Sequence, residues 1–150
     1  MATPILPEHV RPRDAVLLYD GLCGFCDGTV RWLLLRDRAG KIYFAAQQSE
    51  LAQALFERHG FQAQAGNRVY LLVNPGTAEE RILERSDAVV HAVGLLGGVW
   101  AIVAAVVGAL PRGLRDAAYA AVARNRYWIA GRRAECRIPA DAERARFLGL

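Results

Sequence analysis

Short apolar runs alternate along this chain with segments in which apolar residues recur every three or four positions. Runs over 15–19, 42–46 and 69–73 have the length and composition of buried strands. A turn signal, Asn74-Pro75-Gly76, precedes a fourth predicted strand over 81–84, which should return antiparallel to the third. Sequence periodicity therefore predicts four strands, the last two forming a hairpin.

Three helices are predicted between and after these strands. The first follows Cys23 and ends at Gly40, and its inward face is marked by Cys26, Val30, Leu33 and Leu34. The second begins behind a Ser49 cap and ends at Gly60. For the third, Ser86 and Asp87 predict an N-cap and an acidic first turn, with the helix running from 88 to about 96.

The element order up to this point is β-α-β-α-β-β-α. Two strands joined through a helix should be parallel with a right-handed crossover, and a hairpin should be antiparallel. This is the order of an α/β, thioredoxin-like core. We expect one domain, with an irregular lead-in over 1–13, the core over 14–98 and a helical extension over 99–150 that packs on the core.

The extension contains an unusual apolar segment. Residues 92–110 include no charged side chain. This uncharged segment is long enough to pass a crude screen for a membrane span. Because Gly97 and Gly98 interrupt the run, two shorter buried helices are the preferred interpretation, ahead of a docking surface or membrane association. Another amphipathic helix is expected after Pro111, and the tail over 139–150 is expected to be helical.

Composition limits the class of protein. A chain of 150 residues with 53% hydrophobic and 23% charged side chains fits a single globular domain. Its three cysteines are too few for a secreted disulfide scaffold, and the N-terminal residues lack a signal-peptide pattern. We therefore expect a cytoplasmic protein. The segment 112–150 holds 9 basic and 4 acidic residues, interpreted as a solvated helix face rather than a nucleic-acid site.

The candidate chemistry lies in the heptapeptide Asp20-Gly21-Leu22-Cys23-Gly24-Phe25-Cys26. A strand that feeds a helix at this point places Cys23 beside the helix N-terminus, where unpaired N–H groups favour a thiolate nucleophile. Cys26 shares the predicted buried face and suits a resolving thiol. Asp20 is positioned to accept or return the resolving proton. These residues predict thiol–disulfide exchange that needs no metal or organic cofactor.

Two alternatives come from other functional classes. A zinc-binding domain would need Cys136 and one histidine, from His9, His59 or His91, to join the two motif cysteines. His91 is interpreted instead as a core histidine and Cys136 as a small core residue. The second alternative is a non-catalytic interaction module that docks through residues 92–110.

Several separated motifs resemble the DCC family of thiol-disulfide oxidoreductases, named for an Asp and two Cys. The matching segments are 19–26 (YDGLCGFC), 44–49 (FAAQQS), 85–88 (RSDA), 123–127 (ARNRY), 131–133 (GRR) and 136–139 (CRIP). The resemblance implies a thioredoxin-like domain with Cys23 and Cys26 as the redox pair and Asp20 beside them. The resemblance also implies that Arg126, Tyr127 and Cys136 have roles beyond packing.

The resemblance leaves the substrate and the direction of electron flow open. We expect a thiol- or disulfide-bearing protein, or a small thiol, together with an electron donor or acceptor of unspecified identity. Better-known thioredoxin-like enzymes place a cis-proline before the third strand, whereas Gly66-Asn67-Arg68 precedes Val69 here. Substrate binding is therefore expected to differ from theirs.

Overall fold

The computed structural model describes residues 6–20, 24–60, 69–130 and 141–148, without the side chains of 24–27, 123, 126–130 and 141–143. The strands are β1 (Ala15–Tyr19), β2 (Ile42–Ala46), β3 (Tyr70–Val73) and β4 (Arg81–Glu84). The helices are α1 (Gly24–Arg36), α2 (Glu50–Arg58), α3 (Arg85–Leu95), α4 (Gly98–Gly108) and α5 (Arg112–Ala130). A 3-10 helix, Asp141–Arg146, follows.

The four strands form one mixed sheet in the order β2-β1-β3-β4. β1 and β2 are parallel, with Tyr19 opposite Ala46, while β3 is antiparallel to both β1 and β4. The pair joined through α1 is parallel and β3–β4 is an antiparallel hairpin, as predicted. The prediction is wrong for β2 and β3, which are also joined through a helix but run in opposite directions, because β1 is parallel to β2 and pairs antiparallel with β3. This mixed α/β architecture is consistent with the thioredoxin-like fold and confirms the predicted fold class.

The core has two layers because neighbouring residues in a strand point to opposite faces of the sheet. Leu17 and Tyr19 pack with Val30 and Leu33 of α1 and with Ala88 of α3. On the other face, residues of α2 pack against the alternate strand positions, in a cluster formed by Val16, Leu18, Ala52, Leu55, Phe56, Tyr70 and Leu72. The predicted inward face of α1 is thereby confirmed at Val30 and Leu33.

The end of α1 and the start of α3 differ from the prediction. α1 ends at Arg36 rather than Gly40, because the buried Asp37 carboxylate accepts the backbone N–H groups of Lys41 and Ile42. These bonds shape the turn into β2. α3 begins at Arg85, with Glu84 at the N-cap making no side-chain cap bond. Ser86 and Asp87 are thus not a cap, and their side chains contact α5 instead.

The apolar segment forms two helices, as predicted, but the second is not buried. Ala104 is the buried residue of α4, while Val99, Ile102 and Val106 are exposed by 63%, 65% and 63%. Within the described residues no single helix is long and apolar enough to cross a membrane. α4 together with 112–122 passes that test only as a pair bent by 111°.

Of the predicted helix over 139–150, the structure describes residues 141–148, in which a 3-10 helix over Asp141–Arg146 is followed by the non-helical Phe147 and Leu148. Phe147 bridges Phe44 in parallel, and the Leu148 N–H donates to the Phe44 carbonyl oxygen at 2.7 Å. Phe147 and Leu148 are buried and join the two opposite core layers. The tail therefore covers the outer edge of the sheet at β2.

Candidate functional site

Asp20 follows the last residue of β1 and is 2% exposed. Its Oδ1 accepts a hydrogen bond from Gln48 Nε2 at 2.8 Å. Gln48 lies two residues beyond β2, and β1 and β2 are parallel, so the carboxyl ends of both strands bring these residues to one edge of the sheet. The candidate proton-transfer group is thus buried and held by a neutral amide donor.

The loop that carries Gln48 is fixed on both sides. The Gln47 N–H donates to the Tyr19 carbonyl oxygen at 2.7 Å, and Gln47 Nε2 donates to the Leu18 carbonyl oxygen at 3.1 Å. Ser49 Oγ accepts the Ala52 N–H at 3.2 Å, which confirms its predicted role as the N-cap of α2. The segment Gln47-Gln48-Ser49 therefore orients Gln48 toward Asp20.

The cysteines fall largely outside the described residues. Gly24, the residue after Cys23 in the sequence, is the first residue of α1, and Cys26 lies in its first turn. Cys23 and Cys136 belong to the segments that are not described, as does the side chain of Cys26. Arg126 and Tyr127 lie in α5 without described side chains.

α5 is fastened to the core at the start of β3. The Tyr119 hydroxyl accepts the Val69 N–H at 2.7 Å, directly before the first residue of β3. This interaction was not predicted from the sequence. No local pattern indicates it, because Val69 and Tyr119 are fifty positions apart.

Two further contacts join α5 to the start of α3. The Ser86 hydroxyl donates a short hydrogen bond to Asp116 Oδ1. Asp87 forms ion pairs with Arg112 at 2.8 Å and Arg115 at 3.0 Å. The bond from Ser86 lowers the pKa of Asp116, with smaller contributions in the same direction from the positive charges of Arg85 and Arg112.

An apolar cavity of about 500 Å³ lies beside this region. Its wall includes Tyr19 at the end of β1, Thr29 on α1 and Val69 before β3, so it borders the same end of the sheet as Asp20. The remaining lining comes largely from apolar residues of α1, α3 and α5 with Val107 and Leu110. Such a wall suits apolar rather than charged groups.

The histidines of the zinc alternative lie on different elements. His59 Nε2 is 2.8 Å from Glu80 Oε1, and the His9 ring packs on Tyr43. His91 is on the exposed side of α3, so its interpretation as a core histidine is wrong. Partial desolvation lowers the pKa of His91, and the positive charge of Arg81 lowers it further. In the part of the chain that is described, no three His, Cys, Asp or Glu residues form a metal-binding group.

Comparison with known proteins identifies the class of protein. The family model of DCC1-like thiol-disulfide oxidoreductases matches residues 17–132, and the chain belongs to that family. Family membership supports a redox role.

Two relatives show how far the likeness extends. The uncharacterized protein YuxK of Bacillus subtilis is 32% identical over 135 residues, covering 90% of this chain and 94% of that protein. A chloroplastic DCC family protein of Arabidopsis thaliana is 31% identical over 131 residues, covering 87% of this chain and 72% of that protein. No solved structure matches the chain.

Proposed function

We propose that this protein is a thiol–disulfide oxidoreductase whose redox centre is the Cys23–Cys26 dithiol. The observation that carries the proposal is the buried Asp20, bonded by Gln48 at the end of β1, directly before the segment that leads into α1. A carboxylate costs free energy when it is buried. Because Asp20 precedes the Cys-x-x-Cys motif in the sequence, proton transfer to and from the dithiol is a role that explains its burial.

The reaction begins with Cys23 as the nucleophile. α1 begins at Gly24, and the free N–H groups of a helix N-terminus stabilise a thiolate placed there. The Cys23 thiolate attacks one sulfur of a substrate disulfide, forms a mixed disulfide and releases the other substrate sulfur as a thiolate.

Resolution of the mixed disulfide involves Cys26 and Asp20. Cys26 precedes the buried Val30 by one turn of α1. Its thiol passes a proton to Asp20 and attacks the Cys23 sulfur, which releases the second substrate thiol and leaves a Cys23–Cys26 disulfide. The substrate gains two electrons and the dithiol loses them. A separate thiol donor, or an acceptor for the reverse direction, completes the cycle.

Two titrations test the proposal. Wild type and Cys23→Ser are titrated with an alkylating reagent against pH, and the wild type is equilibrated in glutathione redox buffers. We expect one thiol with a pKa below the value of about 8.5 for free cysteine, absent from Cys23→Ser, and a reversible intramolecular disulfide. An ordinary thiol pKa combined with no disulfide would contradict the proposal, and stoichiometric zinc in the purified protein would favour the metal alternative.

A further inference from the structure

The surface of α4 is apolar on every exposed side. Eight of the ten large hydrophobic side chains that are exposed among the described residues lie between 99 and 122; they are Val99, Ile102, Val103, Val106, Val107, Leu110, Leu114 and Val122. The other exposed residues of α4 are glycine and alanine. Monomeric proteins in water rarely leave a contiguous patch of this kind uncovered.

α4 is attached to the core through a narrow strip of small residues. A methyl group at Gly94 would lie 3.5 Å from Ala104 Cβ, and one at Gly108 would lie 3.4 Å from Val90. Trp100 adds an edge-on contact with Trp32, with ring centroids 4.8 Å apart. This strip fixes the helix against α3 and leaves the larger side chains pointing away from the core.

The composition of α4 distinguishes between two kinds of cover. A protein partner or a second copy would bury one stripe, and the rim of such an interface is normally polar. α4 has no polar rim, because its eleven residues contain no charged or hydrogen-bonding side chain other than the Trp100 indole. The hydrocarbon region of a lipid bilayer, by contrast, can contact such a helix on all its exposed sides.

The length and the flanking charges of α4 specify how it would meet a bilayer. Eleven residues extend about 16 Å at 1.5 Å per residue, about half of a hydrocarbon core of about 30 Å. α5 then turns away by 111° and begins with Arg112, whose side chain is 70% exposed. Arg112, which also pairs with Asp87, and Arg124 are exposed on α5 and complement anionic headgroups, whereas Arg115 is 11% exposed in its pair with Asp87.

From this combination we propose that α4, with Leu110 and the first turn of α5, inserts into one leaflet of a membrane that contains anionic phospholipid. The exposed Arg112 and Arg124 lie at the headgroup level, and the large side chains of α4 enter the acyl region. Val107, Leu110 and Leu114 also line the apolar cavity that reaches Tyr19. The proposed lipid contact therefore shares these three residues with the cavity wall.

Vesicle sedimentation tests the proposal with the full chain. We expect the protein to sediment with vesicles of phosphatidylcholine and phosphatidylglycerol, more weakly with phosphatidylcholine alone, and less as salt is raised. Ile102→Ser combined with Val106→Ser should lower the partition coefficient at least about ten-fold, since both side chains lose their transfer free energy. Ile102→Leu with Val106→Leu should retain binding.

A matched control separates this effect from a general loss of surface hydrophobicity. Leu35 on α1 is 79% exposed, and Leu35→Ser should bind vesicles within about two-fold of wild type. Circular dichroism confirms that each variant is folded. Wild type that stays in the supernatant with anionic vesicles would overturn the proposal, and so would a serine double variant that binds equally well. A dimer that the serine variant converts to monomers, without vesicle binding, would identify a second copy as the cover instead.

Discussion

Gln48 Nε2 donates a hydrogen bond of 2.8 Å to Oδ1 of the buried Asp20. The bond joins the loop after β2 to the end of β1, and its donor is a neutral amide. A hydrogen bond to a carboxylate favours its charged form, which is the form that accepts a proton. In the proposed reaction, Gln48 is therefore a positioning residue that holds the Asp20 carboxylate for the resolving cysteine.

Gln48→Leu removes this donor and keeps a side chain of similar size. We expect resolution of the mixed disulfide to slow by at least about ten-fold, because a hydrogen bond to a charged group contributes about 1.5–3 kcal/mol. Stopped-flow measurement of the second thiol's release gives the rate. Gln53→Leu is the control, since the Gln53 amide bonds the Gln47 carbonyl oxygen at 2.6 Å. Equally slowed resolution in both variants would show that only the rigidity of the loop matters.

Asp116→Asn tests the contact between α3 and α5. The bond from Ser86 lowers the pKa of Asp116 in the folded protein, so its charged form stabilises the fold above the ordinary aspartate pKa of about 3.9. This stabilisation disappears as the pH falls through the lowered value. We expect a lower urea midpoint than wild type at pH 7 and the same midpoint near pH 2. Glu57→Gln, an exposed carboxylate on α2, should show no such convergence, and a difference for Asp116→Asn that stays constant with pH would contradict the assignment.

The sequence predicted the sheet more closely than the helix ends. β1, β2 and β4 begin and end where the apolar runs and turn signals indicate, because buried strands are defined by local composition. The start of α3 was missed because Ser86, a good cap by type, bonds Asp116 thirty residues away. Such a competition depends on the packing of α5, which local pattern does not contain.

Contacts of the candidate site were predictable from the sequence where they depend on local pattern and strand order, and not where they depend on distant packing. Asp20 was predicted from its place after β1, and Gln48 could have been, because parallel strands bring their carboxyl ends together. Tyr119 could not, since its contact with Val69 depends on the path of a helix in the C-terminal extension. The exposure of α4 was also unpredictable, because a buried helix and an uncovered one have the same hydropathy.

Tyr119→Phe tests the attachment of α5 to β3. It removes the acceptor of the Val69 N–H and leaves that partly buried group without this bond, which should cost about 1–2 kcal/mol in the free energy of unfolding. Tyr43→Phe is a matched control, because the Tyr43 hydroxyl makes an exposed contact of 3.5 Å with the His9 carbonyl oxygen and should contribute little. Chemical denaturation of both variants gives the comparison. Equal stability losses would show that the Val69–Tyr119 hydrogen bond contributes no more to the free energy of unfolding than the exposed Tyr43 contact.

Asp37 and Arg146 form an ion pair that holds the C-terminal tail against β2. The Asp37 side chain is fully buried, and Arg146 Nε also donates to the Ile42 carbonyl oxygen at 2.9 Å. Breaking a buried pair leaves one charge uncompensated, so a double-mutant cycle of Asp37→Asn and Arg146→Gln should give a coupling energy of about 1–3 kcal/mol. The Leu148 amide, which bonds Phe44, should also exchange its hydrogen faster in either variant.

The exposed pair of Asp87 and Arg112 is the control for this cycle. Its side chains are 31% and 70% exposed, and water screens such pairs, so their coupling should stay at or below about 1 kcal/mol. If the Asp37–Arg146 coupling were equally small and the Leu148 amide stayed protected, the bridge between Phe147 and Phe44 would be sufficient to hold the tail. A large coupling with loss of protection would instead establish the ion pair as the contact that closes the edge of the sheet at β2.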